Sequence, residues 1–256
     1  MQVGIIGYGR VGKALYYAIT NAGVDVAAVL VKKRKNYVKA PLLFYDDLTV
    51  QQKDIPIWII ATPDDAIKEV ISKYDFLKGK QIFHLSGSVP SSIFRAITND
   101  YGVFYPLHSF NDSKVEFGEI PVFLTASSEV MLDILIFIAE KLGCNYRIIT
   151  DNQRQYIHLA AVFVNNFTNH LYYIANQILK EQQLDFDILH HIIKNHVETI
   201  LRQNPGAIQT GPAIRNDKKT MEKHLNLLKG NKDWQNVYKF VSQSIINSNK
   251  TENENR

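Results

Sequence analysis

Up to about residue 151 the apolar positions fall in short runs, and beyond it they recur only at helical spacing. Val3 to Ile6, Gly23 to Val31, Ile55 to Ala61, Gln81 to Leu85, Gly102 to Tyr105, Ile120 to Thr125 and Tyr146 to Thr150 read as strands, with helical patterns from Lys13 to Ile19 and from about 128 to 142. The near-continuous apolar run Ile55-Pro56-Ile57-Trp58-Ile59-Ile60-Ala61 marks a strand covered on both faces, the habit of parallel sheets. Strands alternating with helices predict an α/β fold, an N-terminal mostly parallel sheet with helices on both faces, followed by an all-α C-terminal domain.

In the second part, helices are expected from about Asn152 to Lys180, after Asp187, from Lys218 to Lys229 with Asp217 as N-cap, and from about Lys232 to Asn247. The stretch Ile157 to Phe167 is apolar on almost all sides, so it should be buried in a bundle or between subunits. Residues 248–256 contain no apolar side chain and are expected to form a disordered tail. The domains so drawn are 1–151, 152–247 and the tail.

The opening strand turns into its helix through Gly7-Tyr8-Gly9-Arg10-Val11-Gly12. Three glycines so spaced make a tight turn, let backbone approach a pyrophosphate, and let helix and strand pack closely; the phosphates then sit on the helix N-terminus. A second strand follows, completing a βαβ unit of the dinucleotide-binding, Rossmann-like kind. An acid usually stands about 20 positions beyond these glycines to bind the ribose hydroxyls. Here Lys32, Lys33 and Arg34 stand instead, and cations there suit a 2′-phosphate, so NADP is expected in preference to NAD; the bland alternative is a solvated charge run.

Ligands of open α/β sheets lie outside the carboxyl ends of the strands. That places Ala61, Thr62 and Pro63, then Ser86 and Gly87, beside the cofactor, although Thr62, Asp64 or Asp65 can equally cap the next helix and Ser86-Gly87-Ser88 can be a plain turn. His108 follows the strand ending near Tyr105, where an imidazole can exchange a proton with a substrate or simply be polar surface. His158, Asn165 and Asn166 stand two turns apart on nearly one helix face, lining either a polar cleft or a structural network. Arg215 is a candidate for a substrate carboxylate, or for a salt bridge to Asp217.

Composition narrows the class. Of 256 residues, 46% are hydrophobic, enough for two domains. A single cysteine, Cys144, forms no internal disulfide, suits a cytoplasmic setting, and makes a structural metal cluster implausible; His190, His191 and His196 lack acidic or cysteine companions at ligand spacing. No apolar run approaches the roughly 18 residues of a membrane span, and the first strand begins at once, so neither a membrane nor a leader segment is expected. A net charge of +4 spread over helices gives no reason to expect nucleic-acid binding.

Taken together, Gly7-x-Gly9-x-x-Gly12, Ala61-Thr62-Pro63-Asp64-Asp65-Ala66-Ile67, Leu85-Ser86-Gly87-Ser88, Pro106-Leu107-His108-Ser109-Phe110, His158-Leu159-Ala160-Ala161-Val162-x-x-Asn165-Asn166-Phe167 and Thr210-Gly211-Pro212-Ala213-Ile214-Arg215-x-Asp217 resemble one family over almost the whole chain. It is described as NADP oxidoreductases with a Rossmann-like domain and a C-terminal helical domain of unassigned function, related to pyrroline-5-carboxylate reductases and prephenate dehydrogenases. The resemblance implies a homodimer joined through the helical domains and a small-molecule substrate held between the two domains near the nicotinamide, without naming that substrate. The family often has glutamine where this chain has His108. Hydroxyacid dehydrogenases of similar layout place a lysine four residues before a helix asparagine, where this chain has Ala161 and Val162. The expected activity is hydride transfer between NADP and a carbonyl, imine or alcohol, with His108, His158 and Asn166 at the reacting centre. The rivals are a non-catalytic NADP-binding sensor or assembly protein, and a deazaflavin-dependent reductase.

Overall fold

A computed structural model describes residues 1–31, 42–44, 49–111 and 115–254. The chain forms two compact units, Met1–Asn166 and Phe167–Arg256.

The first unit holds an eight-stranded sheet of β1 (Gln2–Ile6), β2 (Asp25–Val31), β3 (Leu42–Phe44), β4 (Ile57–Ile60), β5 (Gln81–His84), β6 (Tyr101–Pro106), β7 (Val122–Ala126) and β8 (Tyr146–Ile148). Their spatial order is β3-β2-β1-β4-β5-β6-β7-β8, and every neighbouring pair is parallel except β6 with β7. From β1 the chain steps outward to β3, then returns to the other side of β1 as β4. The order therefore reverses between β1 and β4, which opens a crevice at their carboxyl ends.

Around the sheet lie α1 (Arg10–Asn21), α2 (Val50–Lys53), α3 (Asp64–Lys73), α4 (Glu129–Lys141) and α5 (Asp151–Ala161). Side chains alternate across each strand, and two cores follow from that alternation. Val3, Ile5, Ile57, Ile59, Phe83 and Phe104 pack with Leu15 and Ile19 of α1 and with Leu135 and Ile138 of α4. On the other face Ile6, Trp58, Ile60 and Ile82 pack with Ile67 and Val70 of α3 and with Phe94. Farther along that face, Val103, Tyr105 and Phe123 carry Ile157 of α5. Each fully buried Ile or Leu contributes roughly 1.5–3 kcal/mol, so these two layers hold most of the unit together.

In the second unit the described residues form only helices: α6 (Thr168–Glu181), α7 (His190–Ile200), α8 (Lys218–Leu227) and α9 (Lys232–Glu254). Asp217 caps α8 as its sequence position suggests, accepting from the Thr220 amide at 3.1 Å. No helix among the described residues is long and apolar enough to cross a membrane.

The sequence pattern is refined in four places. Strand β3 has three residues, too few to show a period. The expected helix from Asn152 to Lys180 is α5 and α6 joined by a π-helical turn over Val162–Phe167, and α5 goes with the first unit, whose limit is Asn166, not residue 151. The last helix does not stop near Asn247 but runs to Glu254, across most of the segment expected to be a disordered tail; extending a nucleated helix through polar residues needs no apolar contact. Finally, Ile157 to Phe167 is not buried within this chain: Leu159, Phe163, Val164 and Phe167 are each at least half exposed.

Candidate cofactor and proton-transfer site

The glycine loop sits at the crevice between β1 and β4. Gly7 has φ +105°, a conformation that side chains resist, and a Cβ there would lie 2.5 Å from the Ala61 carbonyl oxygen. A Cβ on Gly12 would lie 2.5 Å from the Gly7 carbonyl oxygen. These two glycines close the loop on itself and on the end of β4, tied by Gly7 N–H to the Leu30 carbonyl and Ala61 N–H to the Ile6 carbonyl at 2.9 and 2.8 Å. Gly9 differs: a Cβ there would meet no atom of the described residues within 4 Å.

That open side faces the start of α1, whose first turn has neither a side-chain cap nor an acidic residue. Its free N–H groups and the positive end of the helix dipole favour an anion. Tyr8 turns its ring into the core, edge-on to Tyr16 at 5.6 Å, so only its backbone belongs to the loop; Arg10 is exposed and Val11 partly so. Beyond β4, Pro63 holds the N-cap position of α3 with no side-chain cap, so the capping expected of Thr62, Asp64 or Asp65 is not made. Buried Thr62 Oγ1 has no hydrogen-bond partner among the described residues. An uncapped helix start, a loop closed on backbone and an orphan hydroxyl fit the pyrophosphate of a dinucleotide. Lys32, Lys33 and Arg34, expected at a 2′-phosphate, lie outside the described residues.

At the end of β5, Ser86-Gly87-Ser88 is a hydrogen-bonded turn: Ser86 Oγ accepts from the amides of Ser88 and Val89 at 3.1 and 3.0 Å. Ser88 Oγ donates to Asp64 at 2.5 Å, joining this turn to α3. Gly87 makes room for protein groups. A Cβ there would lie 2.6 Å from His158 Nδ1 and 2.7 Å from Tyr105 Cζ. Over the bare backbone Tyr105 Oη and His158 Nδ1 pair at 3.0 Å, their rings edge-to-face at 5.9 Å. Burial raises the Tyr105 phenol above its ordinary range, against an opposing pull from Arg154.

One turn before His158, the fully buried Arg154 holds the helix to the sheet. Its Nη1 donates to Asp151 Oδ1 at 2.6 Å and to Thr125 Oγ1 at 3.2 Å, and its Nη2 donates to the Val89 carbonyl. Asp151 also accepts from Ser91 N–H and Oγ, the latter at 2.8 Å. Burial would raise the Asp151 carboxyl, but the Ser91 hydrogen bonds and Arg154 outweigh it and hold it below the ordinary range. Buried His84 accepts from the Ser86 amide through Nδ1 at 3.1 Å and is pushed down to about 4, first by burial and then by Arg154.

The remaining candidates are each found in their own setting. His108 follows β6 as expected, exposed and edge-on to Phe110 at 5.0 Å. Asn165 and Asn166 are exposed within the π turn, whose winding differs from the α-helical spacing on which their alignment with His158 was expected. Arg215 is exposed in the second unit, and its charge helps lower the Asp217 carboxyl after the hydrogen bonds from Thr220. Cys144 is buried and its thiol pushed up to about 11 by desolvation, which leaves it without nucleophilic use. Tyr105 and Arg154 escaped the sequence reading. The signal for each was a polar tip on a core-facing position, Tyr105 two residues from Val103 in β6 and Arg154 one turn from Ile157 in α5.

Residues 120–245 match a domain of unknown function, DUF2520. The chain is 30% identical to a crystal structure from Bacteroides fragilis named a "putative NADP oxidoreductase", covering 96% of this chain and 98% of that one with a TM-score of 0.84. An Aspergillus terreus reductive aminase in complex with NADPH has the same fold at 12% identity, covering 97% and 94% with a TM-score of 0.71. Plasmodium falciparum pyrroline carboxylate reductase with NADP bound does so at 13% identity, covering 98% and 97% with a TM-score of 0.54. None of the curated proteins matches the sequence.

Proposed function

The chain belongs to the same family as the Bacteroides fragilis protein, and from that kinship we propose that it is an NADP-dependent oxidoreductase acting on a small polar carbonyl, imine or alcohol. The observation that carries the reading is the glycine loop at the reversal of strand order, closed everywhere except at Gly9 and at the uncapped start of α1. Gly7, Gly9, Gly12 and the amides of Arg10 and Val11 would hold the pyrophosphate, Ala61, Thr62 and Pro63 would flank it, and Lys32, Lys33 and Arg34 would take the 2′-phosphate. A nicotinamide, when bound, supplies or accepts a hydride. The protein's own part is to hold the substrate and stabilise the charge that develops on its heteroatom. His158 is the group we assign to that charge. His108, Asn165 and Asn166 are the further polar contacts, and Arg215 is the contact for a substrate carboxylate. We also assign a homodimer, built through residues 152–247.

Binding and turnover test separate parts of this reading. By calorimetric titration NADP should bind more tightly than NAD, and Gly9→Val should lose NADP while keeping the wild-type melting temperature, because its side chain fills space no protein atom uses. Equal affinity for the two cofactors would remove the 2′-phosphate assignment; intact binding by Gly9→Val would remove the site. A screen of carbonyls, imines and alcohols that follows nicotinamide absorbance should then find a substrate. Tight NADP binding with no turnover in that screen would favour the sensor, a reading to which Ala161 and Val162 in place of a lysine already lend weight.

A further inference from the structure

We propose that Tyr105 is a positioning residue that fixes the tautomer of His158, so that the imidazole always presents Nε2–H to the substrate. The proposal rests on the reading of the site given above, and it concerns two side chains within one compact unit.

Tyr105 is 8% exposed, and among the described residues its hydroxyl has one hydrogen-bond partner, His158 Nδ1 at 3.0 Å. A Tyr105 hydroxyl that merely accepted from Nδ1–H would leave its own proton without a protein partner among the described residues, the less favourable arrangement in a part-buried pair. The favoured arrangement is therefore O–H donated to a bare Nδ1, with the ring proton on Nε2. Burial works in the same direction by keeping the phenol protonated. The charged groups acting on Tyr105 are Arg154, itself paired with Asp151, and Asp64 at the start of α3. None of them hydrogen-bonds the Tyr105 hydroxyl, so the partner of His158 is a neutral donor and not a carboxylate that would favour imidazolium. Gly87 completes the device, since any side chain there would overlap both rings.

The chemical consequence is a fixed donor. When a hydride adds to the carbon of C=O or C=N, the π pair moves to the heteroatom, and Nε2–H hydrogen-bonds the negative charge that develops there; water supplies the proton that completes the O–H or N–H bond. A ring free to hold its proton on Nδ1 would meet that charge with a lone pair.

The test uses the full chain labelled with 15N-histidine, free of cofactor and substrate, at a pH where the imidazole is neutral. Long-range proton–nitrogen spectra should show His158, identified by the signals missing from His158→Gln, as the pure Nε2–H tautomer. Tyr105→Phe should turn it into a mixture while melting at a similar temperature. An Nδ1–H tautomer in the wild type, or a pure Nε2–H tautomer that survives in Tyr105→Phe, overturns the proposal. Should Tyr105→Phe fail to fold, Gly87→Ala, which must push the two rings apart, takes its place with the same expected mixture. With a substrate in hand, Tyr105→Phe should lower kcat of the order of tenfold to a hundredfold, the size of loss seen when a metal-ligating histidine loses its orienting partner, and leave the KM for NADPH unchanged. The spectra need no turnover, so an empty substrate screen overturns the oxidoreductase reading without touching the tautomer result.

Discussion

The two units of this chain handle their apolar residues in opposite ways. From Met1 to Asn166 the strands and helices bury Ile, Val, Phe and Trp side chains in layers on both sides of one sheet, and even an arginine is fully enclosed. From Phe167 onward, among the described residues, only Ile174 and Ala213 are buried, while Ile188, Ile192, Leu201, Leu227 and Phe240 stand more than half exposed. The first unit completes its core from its own residues. The second carries more apolar surface than a solitary soluble chain usually leaves in water, which is the mark of an interaction face. The difference is one of cover: the sheet unit encloses its apolar side chains, whereas the helical unit leaves many of its own exposed.

The sharpest way to break that contrast is to change the assembly. We expect light scattering to give the mass of two chains, and Leu227→Asp with Phe240→Asp to give the mass of one, at little cost to folding because both positions are already exposed. A single-chain mass for the wild type across a wide dilution range would mean that the exposed face serves something other than a second copy.

Next in size is the anchor of α5 on the first unit. Arg154→Met removes the cation from Asp151, Thr125 and Val89, and breaking a buried pair from one side costs about 3–5 kcal/mol. Urea unfolding should show a loss in that range in the first unit. A loss under about 1 kcal/mol, the value of an exposed pair, would show that α5 is held mainly by its apolar contacts.

The smallest effect concerns His84, held neutral by the same buried layer. Its value falls from 6.5 to about 4 on folding, so between these limits the unfolded chain binds more protons. Stability is therefore fully present above pH 6.5 and is lost as pH falls toward 4, by roughly 3 kcal/mol over the window. Asp151, lowered on folding, adds a loss in the same direction at the acid end. His84→Gln keeps an acceptor for the Ser86 amide but has no charge to gain, so its stability should stay nearly flat through this window. An equally steep slope in that variant would assign the acid sensitivity to other groups.

Much of the molecule was written in local patterns. Val3-Gly4-Ile5-Ile6 and Ile57-Trp58-Ile59-Ile60 read as buried parallel strands because continuous apolarity leaves a chain no solvent face. Gly7, Gly9 and Gly12 marked the tight turn from β1 into α1 because φ/ψ freedom and close approach are properties of a residue without a side chain, and Asp217 announced its helix because capping is settled within four residues. The tertiary structure alone decided the meeting of Gly87, Tyr105 and His158, which come from the end of β5, from β6 and from α5. Spacing cannot bring together groups 18 and 53 residues apart; only the sheet order and the Arg154–Asp151 tie do so. The π turn at Val162–Phe167 was hidden for a related reason. Sequence periodicity assumes a constant 3.6 residues per turn, and a local change of winding alters the register of Asn165 and Asn166 relative to His158 without altering any residue.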